Sequence, residues 1–268
     1  MRRWPSSLGT TPRPDAAGER IGALAGKLRH YDPSQLYFQI AEIAGEQTYL
    51  RHGVEVRDGD IVLDVGANVG VAAAFFATHC GARVVHSFEP VPPIFELLRE
   101  NLKDLPACVP HPWGLSSAAG AVPITYYPGA AAMSGLYADP ERDRELVRTA
   151  LLNFGLSELE ADERLEGRYD RQVMTCELRT LSSFLREERL TQVDLLKVDV
   201  ERAELDVLGG IDEGDWPKIK QVAIEAHDDD GRCAAIAGTL EELGYRVTMD
   251  QDSAMRGTFV RMLYATRP

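Results

Sequence analysis

The run Ile61-Val-Leu-Asp-Val-Gly-Ala-Asn-Val-Gly70 restricts what this chain can become more than any other stretch of it. Its opening residues, apolar apart from Asp64, read as a buried strand. Gly66 and Gly70 punctuate a turn, and residues 71–78 read as a helix. Glycines in such a turn let the backbone approach a ligand with no Cβ in the way, and the free N–H groups that open the helix favour electron-rich atoms. A strand that runs through a glycine turn into a helix is a cofactor cradle, although Gly66 and Gly70 also fit a plain turn. Gly66-Ala-Asn-Val-Gly70 is not G-x-G-x-x-G, the pattern that sets a helix amino end on a pyrophosphate.

Downstream segments repeat the strand–helix alternation. Residues 83–88 read as a second strand ending in Glu89-Pro90, about 20 residues past the glycine turn, where a doubly wound sheet places the carboxylate that accepts both ribose hydroxyls. Residues 92–102 read as a helix opened by proline, and 107–111 as a third strand followed by Trp113-Gly-Leu-Ser116 at its carboxyl end. An extra strand over 122–127 leads into a flexible loop over 128–135. Residues 139–170 are a dense mix of both charges with Leu146, Ala150 and Phe154 on one helical face, which reads as an inserted helical lid. An extended segment over 173–178, a helix over 181–190, a strand over 193–199 and a strand over 221–225 follow. After a helix over 234–243 come strands over 245–249 and 258–264, with no helix between them, so the last pair is antiparallel.

With 268 residues and 44% hydrophobic content, the chain can bury one substantial α/β core. Residues 1–46 read as a mobile tail (1–14) and a helical extension (16–28 and 33–43), and 47–268 as the main domain. The formal charge of −13 opposes a broad nucleic-acid or anionic-membrane footprint and favours a small-molecule partner. No apolar run is long enough to span a bilayer, and residues 1–14 have no apolar leader. Cys80, Cys108, Cys176 and Cys233 are scattered without a CxxC pair, which suits reduced thiols and a cytoplasmic protein. Nothing in the sequence sets the oligomeric state; a homodimer is compatible with it.

Five strand–helix units closed by an antiparallel hairpin differ from an ordinary dinucleotide fold and outline a Rossmann-like class I methyltransferase with a seven-stranded sheet. Asp64-Val-Gly-Ala-Asn-Val-Gly70, Phe88-Glu-Pro90, Leu195-Leu-Lys-Val-Asp-Val-Glu201 with Ala203-Glu204, and Ile224-Glu-Ala-His227 resemble, in order and spacing, the FkbM family of methyltransferases. The resemblance implies transfer of methyl from S-adenosylmethionine, mostly to hydroxyl oxygen of secondary metabolites, sugars or lipids. One departure is visible: where the family usually has Gly, this chain has Arg202. That side chain either recognises an acidic substrate or pairs with Glu201 or Glu204.

For the donor, the candidates are Asp64 as an anionic counterpart to the ligand's cationic groups, Gly66, Asn68 and Gly70 in the turn, Glu89 and Pro90 at the ribose, and Asp199. Trp113 and Leu115 are candidates to sandwich the adenine, and Ser116 to bond its amine; a core role suits Trp113 equally. For catalysis, Asp199, Glu225 and His227 fall at carboxyl ends of strands. His227 or Asp199 then takes the acceptor proton, or Asp199, Glu225 and His227 hold a divalent cation, although no dedicated metal motif is present. A structural role for His227 is the plain alternative. Lys197 is expected to pair internally with a carboxylate. Transfer to carbon or nitrogen, a nicotinamide-dependent dehydrogenase and a non-catalytic binding module with Arg202 as its symptom are the competing readings.

Overall fold

The computed structural model describes residue 26, residues 28–228 and residues 230–267. The tail at 1–14 and nearly all of the helix expected over 16–28 lie outside them. The described chain opens with helix α1 (Pro33–Ile40), which continues as a π-helical turn over Ala41–Gly45. Strand β1 (Ile61–Val65) is buried along its whole length and is an inner strand, third in the order, of a seven-stranded sheet. Around it stand β2 (Val84–Phe88), β3 (Cys108–His111), β7 (Leu195–Val198), β8 (Gln221–His227), β9 (Arg246–Asp250) and β10 (Val260–Thr266), in the order β3-β2-β1-β7-β8-β10-β9. The first five of these pair in parallel; β10 is antiparallel to both β8 and β9. The expected class I sheet with its antiparallel hairpin is therefore present.

Charge inside this core is placed by register. Asp64 of β1 lies opposite Lys197 of β7, and the ammonium is 3.1 Å from the carboxylate in surroundings where both side chains are almost wholly buried. Helices α2 (Val71–Thr78) and α3 (Pro92–Leu102) cover one face of the sheet. Prolines at the first positions of α3 match its start, and Ile94, Leu98 and Leu102, at helical spacing, are its buried stripe. On the other face pack α6 (Leu181–Glu187), α7 (Glu204–Gly209) and α8 (Arg232–Glu242), through Phe184, Val207, Ile236 and Leu240.

The segments expected over 122–127 and 173–178 do not join the main sheet. They are β5 (Gly120–Tyr126) and β6 (Gln172–Arg179), which with β4 (Gly114–Leu115) make a separate sheet ordered β4-β6-β5. Only Ile124, Tyr126, Cys176 and Leu178 are buried along β5 and β6, so the ribbon has one core face and suits neither face of a fully covered parallel sheet.

The charged insertion folds as α4 (Pro140–Asn153) and α5 (Glu158–Leu165). Asp139 caps α4 by accepting from the N–H groups of Glu141 and Arg142, and Ser157 and Glu160 form a capping box on α5. Leu146 and Ala150 are buried as expected. Phe154 is not: it ends α4, is 40% exposed, and sets its ring 4.9 Å from Phe38 of α1.

Candidate active site

The glycine turn is built by close backbone approach. Gly66 has φ +75°, and a Cβ there would lie 1.7 Å from the carbonyl oxygen of Asp199, so the turn after β1 and the segment after β7 touch as bare backbone. The N–H groups of Gly66 and Ala67 donate to the Phe88 carbonyl at 3.1 and 3.0 Å, which ties the turn to the end of β2. Asn68 takes φ +48°, a conformation asparagine tolerates, and its side-chain oxygen accepts from the Val69 N–H at 2.7 Å. Gly70 caps α2 beneath Leu98 and Leu102 of α3 and does not border the cavity, so its role is packing.

A cavity of about 300 Å³ opens against this turn and is bordered by Gly66, Asn68, Glu89, Pro90, Leu115, Asp199 and Glu225, among others. At its inner end the Glu89 carboxylate accepts from the N–H groups of Asn68 at 3.2 Å and Val91 at 2.9 Å. Burial pushes Glu89 up to about 7 even though these N–H groups pull the other way. Its carboxylate is thus aimed by backbone and retains lone pairs for hydroxyl donors. A ribose on this carboxylate would favour the ionised form, and S-adenosylhomocysteine should then bind with proton release below pH ~7 and more tightly as pH rises to that point. Calorimetry in buffers of different ionisation enthalpy reads that proton. Glu89→Gln should abolish the release and cost ~1.5–3 kcal/mol of affinity.

Asp64 and Lys197 lie beneath this floor. Asp64 does not border the cavity; burial raises its pKa against the opposing pull of Lys197. Burial alone would lower Lys197, but Asp64 and Asp199 overcome it and hold the ammonium charged. That ammonium donates to the Gly66 carbonyl at 2.8 Å and lies 3.5 Å from Asp199. The expected internal pairing of Lys197 is therefore observed, and Asp64 faces this lysine.

The adenine candidates divide. Gly114, Leu115 and Leu178 line an apolar slot beside Pro90. Trp113 stands behind it, in a ring cluster with Phe88 at 4.9 Å and His111 at 5.1 Å, with the Arg179 guanidinium 4.7 Å above its ring. Ser116 lies outside the cavity lining, its N–H donating to the Arg179 carbonyl at 2.8 Å.

Elsewhere on the cavity wall, Asp199 accepts from the Tyr49 hydroxyl at 2.7 Å. Glu225 and Glu42 border the same space. Burial, then the charges of Asp199 and Glu42, raise Glu225 well above its usual range; burial, then Asp199, push Glu42 up to about 8. Neither Glu42 nor Tyr49 was legible in the sequence. The helix stripe Leu36, Ile40, Ile43 presumes a regular α-helix, whereas the π-helical turn over Ala41–Gly45 inserts an extra residue per turn and sets Glu42 toward the cavity.

His227 is fully buried and does not border the cavity. Its Nε2 is 3.1 Å from Glu201 and its Nδ1 2.8 Å from Glu204. Burial would lower its pKa, but Glu201 first and then Glu204 drive it well above the usual value, so the ring is an imidazolium clamped between carboxylates. Among the described residues no group of three or more His, Cys, Asp or Glu is arranged to hold a metal ion.

The acidic-substrate reading of Arg202 is corrected. Arg202 is 4% exposed, does not border the cavity, and pairs at 2.7 Å with Asp143 of α4, itself fully buried. Its guanidinium thus reaches the insertion, and also donates to the Tyr137 carbonyl at 3.2 Å, while its own N–H donates to Glu204 at 2.9 Å. Backbone explains the unusual residue: Arg202 has φ +73°, a conformation that suits the glycine the family usually places there.

Much of the remaining wall is apolar. Met133, Leu146, Val147, Leu151, Phe38 and Met255 enclose the outer chamber, with α4 as its roof.

A central glycine turn, a buried carboxylate at the end of β2, an apolar slot beside it and this sheet order together define an S-adenosylmethionine-dependent class I methyltransferase, and the residues present fit that donor. The chain belongs to the FkbM family: residues 64–247 match the methyltransferase FkbM domain. It is 37% identical to 31-O-demethyl-FK506 methyltransferase FkbM of Streptomyces tacrolimicus, over 89% of this chain and 92% of that one. Similarity at 37% identity also extends to the AMB antimetabolite synthetase AmbE of Pseudomonas aeruginosa, over 85% of this chain but 11% of that protein. Methyltransferase sdnD of Sordaria araneosa is 32% identical, over 85% of this chain and 89% of its own length. Family membership removes the dehydrogenase reading. No helix among the described residues is long and apolar enough to cross a membrane.

Proposed function

We propose that this enzyme methylates a hydroxyl oxygen of a small molecule. The observation that carries the reading is the juxtaposition of a donor cradle with the Glu225 carboxylate, which borders the same cavity and has no hydrogen-bond or ion-pair partner among the described residues. The Streptomyces relative, a methyltransferase of 31-O-demethyl-FK506, supports it.

Bound in the cradle, S-adenosylmethionine supplies a methyl group on a sulfonium, and the enzyme's task is then mainly alignment of the acceptor. In this reading Glu89 and Asn68 hold the ribose, and Gly114, Leu115 and Leu178 the adenine. Asp199, fixed by Tyr49 and Lys197, orients the acceptor. The acceptor oxygen forms its bond to the methyl as the carbon–sulfur bond breaks and its electron pair leaves with sulfur. Its proton passes to Glu225. His227 serves as a positioning residue: its imidazolium holds Glu201, which borders the cavity, and Glu204 at the start of α7. Helix α4 acts as the lid over the acceptor. The cysteines Cys80, Cys108, Cys176 and Cys233 are free, which supports a reducing, cytoplasmic setting.

A panel of hydroxylated small molecules, incubated with donor carrying a deuterated methyl, tests this by mass spectrometry. Label on oxygen supports it; label only on nitrogen or carbon ends it. Turnover at saturating donor should rise with pH, because the proton acceptor works only when ionised and its pKa is raised. Glu225→Gln should lower turnover ~10²–10⁴-fold and flatten that rise, while leaving S-adenosylhomocysteine affinity intact. A variant with full turnover would remove Glu225 from the chemistry.

A further inference from the structure

Among the described residues, the charged ones that border the cavity are all acidic, and most are already engaged. Glu89 is held by backbone N–H groups, Asp199 by Tyr49 and Lys197, and Glu201 by His227. Glu46 and Asp252 share Arg51, at 3.1 and 3.4 Å. Glu42 and Glu225 differ from these: among the described residues neither carboxylate has a hydrogen-bond or ion-pair partner. They come from different elements that border the same cavity, Glu42 from the π-helical turn after α1 and Glu225 from β8, and the charge of Glu42 is felt at Glu225. Beyond them much of the wall is apolar, formed by α4 and its neighbours.

We propose that Glu42 is a further acceptor-handling residue of this active site, paired with Glu225, and that the pair and the apolar chamber together select an uncharged apolar alcohol and reject anionic acceptors. The inference rests on the hydroxyl-methylation reading above and adds to it a residue from outside the matched domain and a class of acceptor. Two carboxylates facing one partly dry space do not both ionise readily at neutral pH, so the pair retains a proton. One member donates to the acceptor region while the other accepts the alcohol's proton as the oxygen–methyl bond forms and the carbon–sulfur bond breaks. A carboxylate or phosphate on the acceptor would meet like charge with no Lys, Arg or His side chain among the described lining residues to offset it. An alkyl or ring skeleton gains by leaving water against Leu146, Val147, Leu151 and Met255.

The test uses the full chain saturated with S-adenosylhomocysteine and a matched pair of probes, 1-octanol and octanoate, read by saturation-transfer NMR competition. Wild type should hold octanol at least about ten-fold more tightly than octanoate, and Glu42→Gln should narrow that gap to about three-fold or less. In parallel, carboxyl-carbon NMR should show the titration of Glu225 moving to lower pH in Glu42→Gln. S-adenosylhomocysteine affinity, measured in the same samples, should be unchanged by the substitution. Octanoate binding as well as octanol, no octanol binding, an unchanged gap, an unmoved Glu225, or loss of donor-site affinity in Glu42→Gln would each overturn the proposal. Failure of wild type to bind S-adenosylhomocysteine would instead strike the donor site, and label transfer only to carbon or nitrogen would strike the hydroxyl reading, so the failures are distinguishable.

Discussion

Gly66→Ala should cost more than ~4 kcal/mol of stability or abolish S-adenosylhomocysteine binding in whatever protein remains folded. A Cβ at this position would lie 1.7 Å from the Asp199 carbonyl oxygen and 2.8 Å from its carbon. Both are backbone atoms, so relief requires moving the glycine turn away from the segment after β7. A left-handed φ of +75° adds the ordinary ~1–2 kcal/mol penalty for an L-residue. Gly53→Ala is the control: its φ is +91°, but no heavy atom lies within 4 Å of the added carbon, so only the conformational penalty of ~1 kcal/mol applies. Urea unfolding and calorimetry on the two variants separate crowding from conformation. Equal, small losses would refute the close approach at Gly66.

Arg202→Met should destabilise the protein by ~3–5 kcal/mol, because it strands the Asp143 carboxylate inside the protein without its cation. The substitution breaks the 2.7 Å pair that joins the segment after β7 to helix α4. Asp143→Asn added to Arg202→Met should recover much of the loss, since an amide keeps an oxygen for the Tyr127 hydroxyl and the Asp139 N–H without leaving an unpaired charge. Arg202→Gly decides between strain and pairing. Glycine relieves ~1–2 kcal/mol of left-handed strain but loses the pair, so the net effect should still be destabilising by ~2–3 kcal/mol. A neutral or stabilising Arg202→Gly would show that the pair adds nothing to the fold. Because Arg202 lies outside the cavity, its presence at a glycine position is no mark of a lost active site. It anchors α4 at one end; at the other, the Asn153 side chain donates to the carbonyls of Ala254 and Arg256, both at 2.8 Å.

Features that depend on short-range pattern were legible in the sequence. The apolar run into Gly66 and the lack of a helix between the last strands specified the sheet and its hairpin, and the spacing to Glu89 put that carboxylate at the end of β2 beside the glycine turn. Features that depend on which surface a side chain meets were not. Trp113 follows β3 at the expected place, but Phe88, His111 and Phe184 claim its ring, and the slot passes to Leu115 and Leu178. His227 ends a strand as read, yet Glu201 and Glu204 enclose it, and that pairing depends on a left-handed stretch at Glu201 and Arg202 that no periodicity reports. Glu42 was hidden by a single π-helical turn. The ribbon of β5 and β6 was read as isolated extended segments because alternating burial does not say which sheet a strand joins.

The most direct measurement is a crystal structure of the enzyme with S-adenosylhomocysteine. The account predicts ribose hydroxyls on the Glu89 carboxylate, adenine in the slot of Leu115 and Leu178, and the sulfur directed toward the space bordered by Asp199, Glu225 and Glu42. A ribose away from Glu89, or an adenosyl group lodged in the chamber beneath α4, would contradict it.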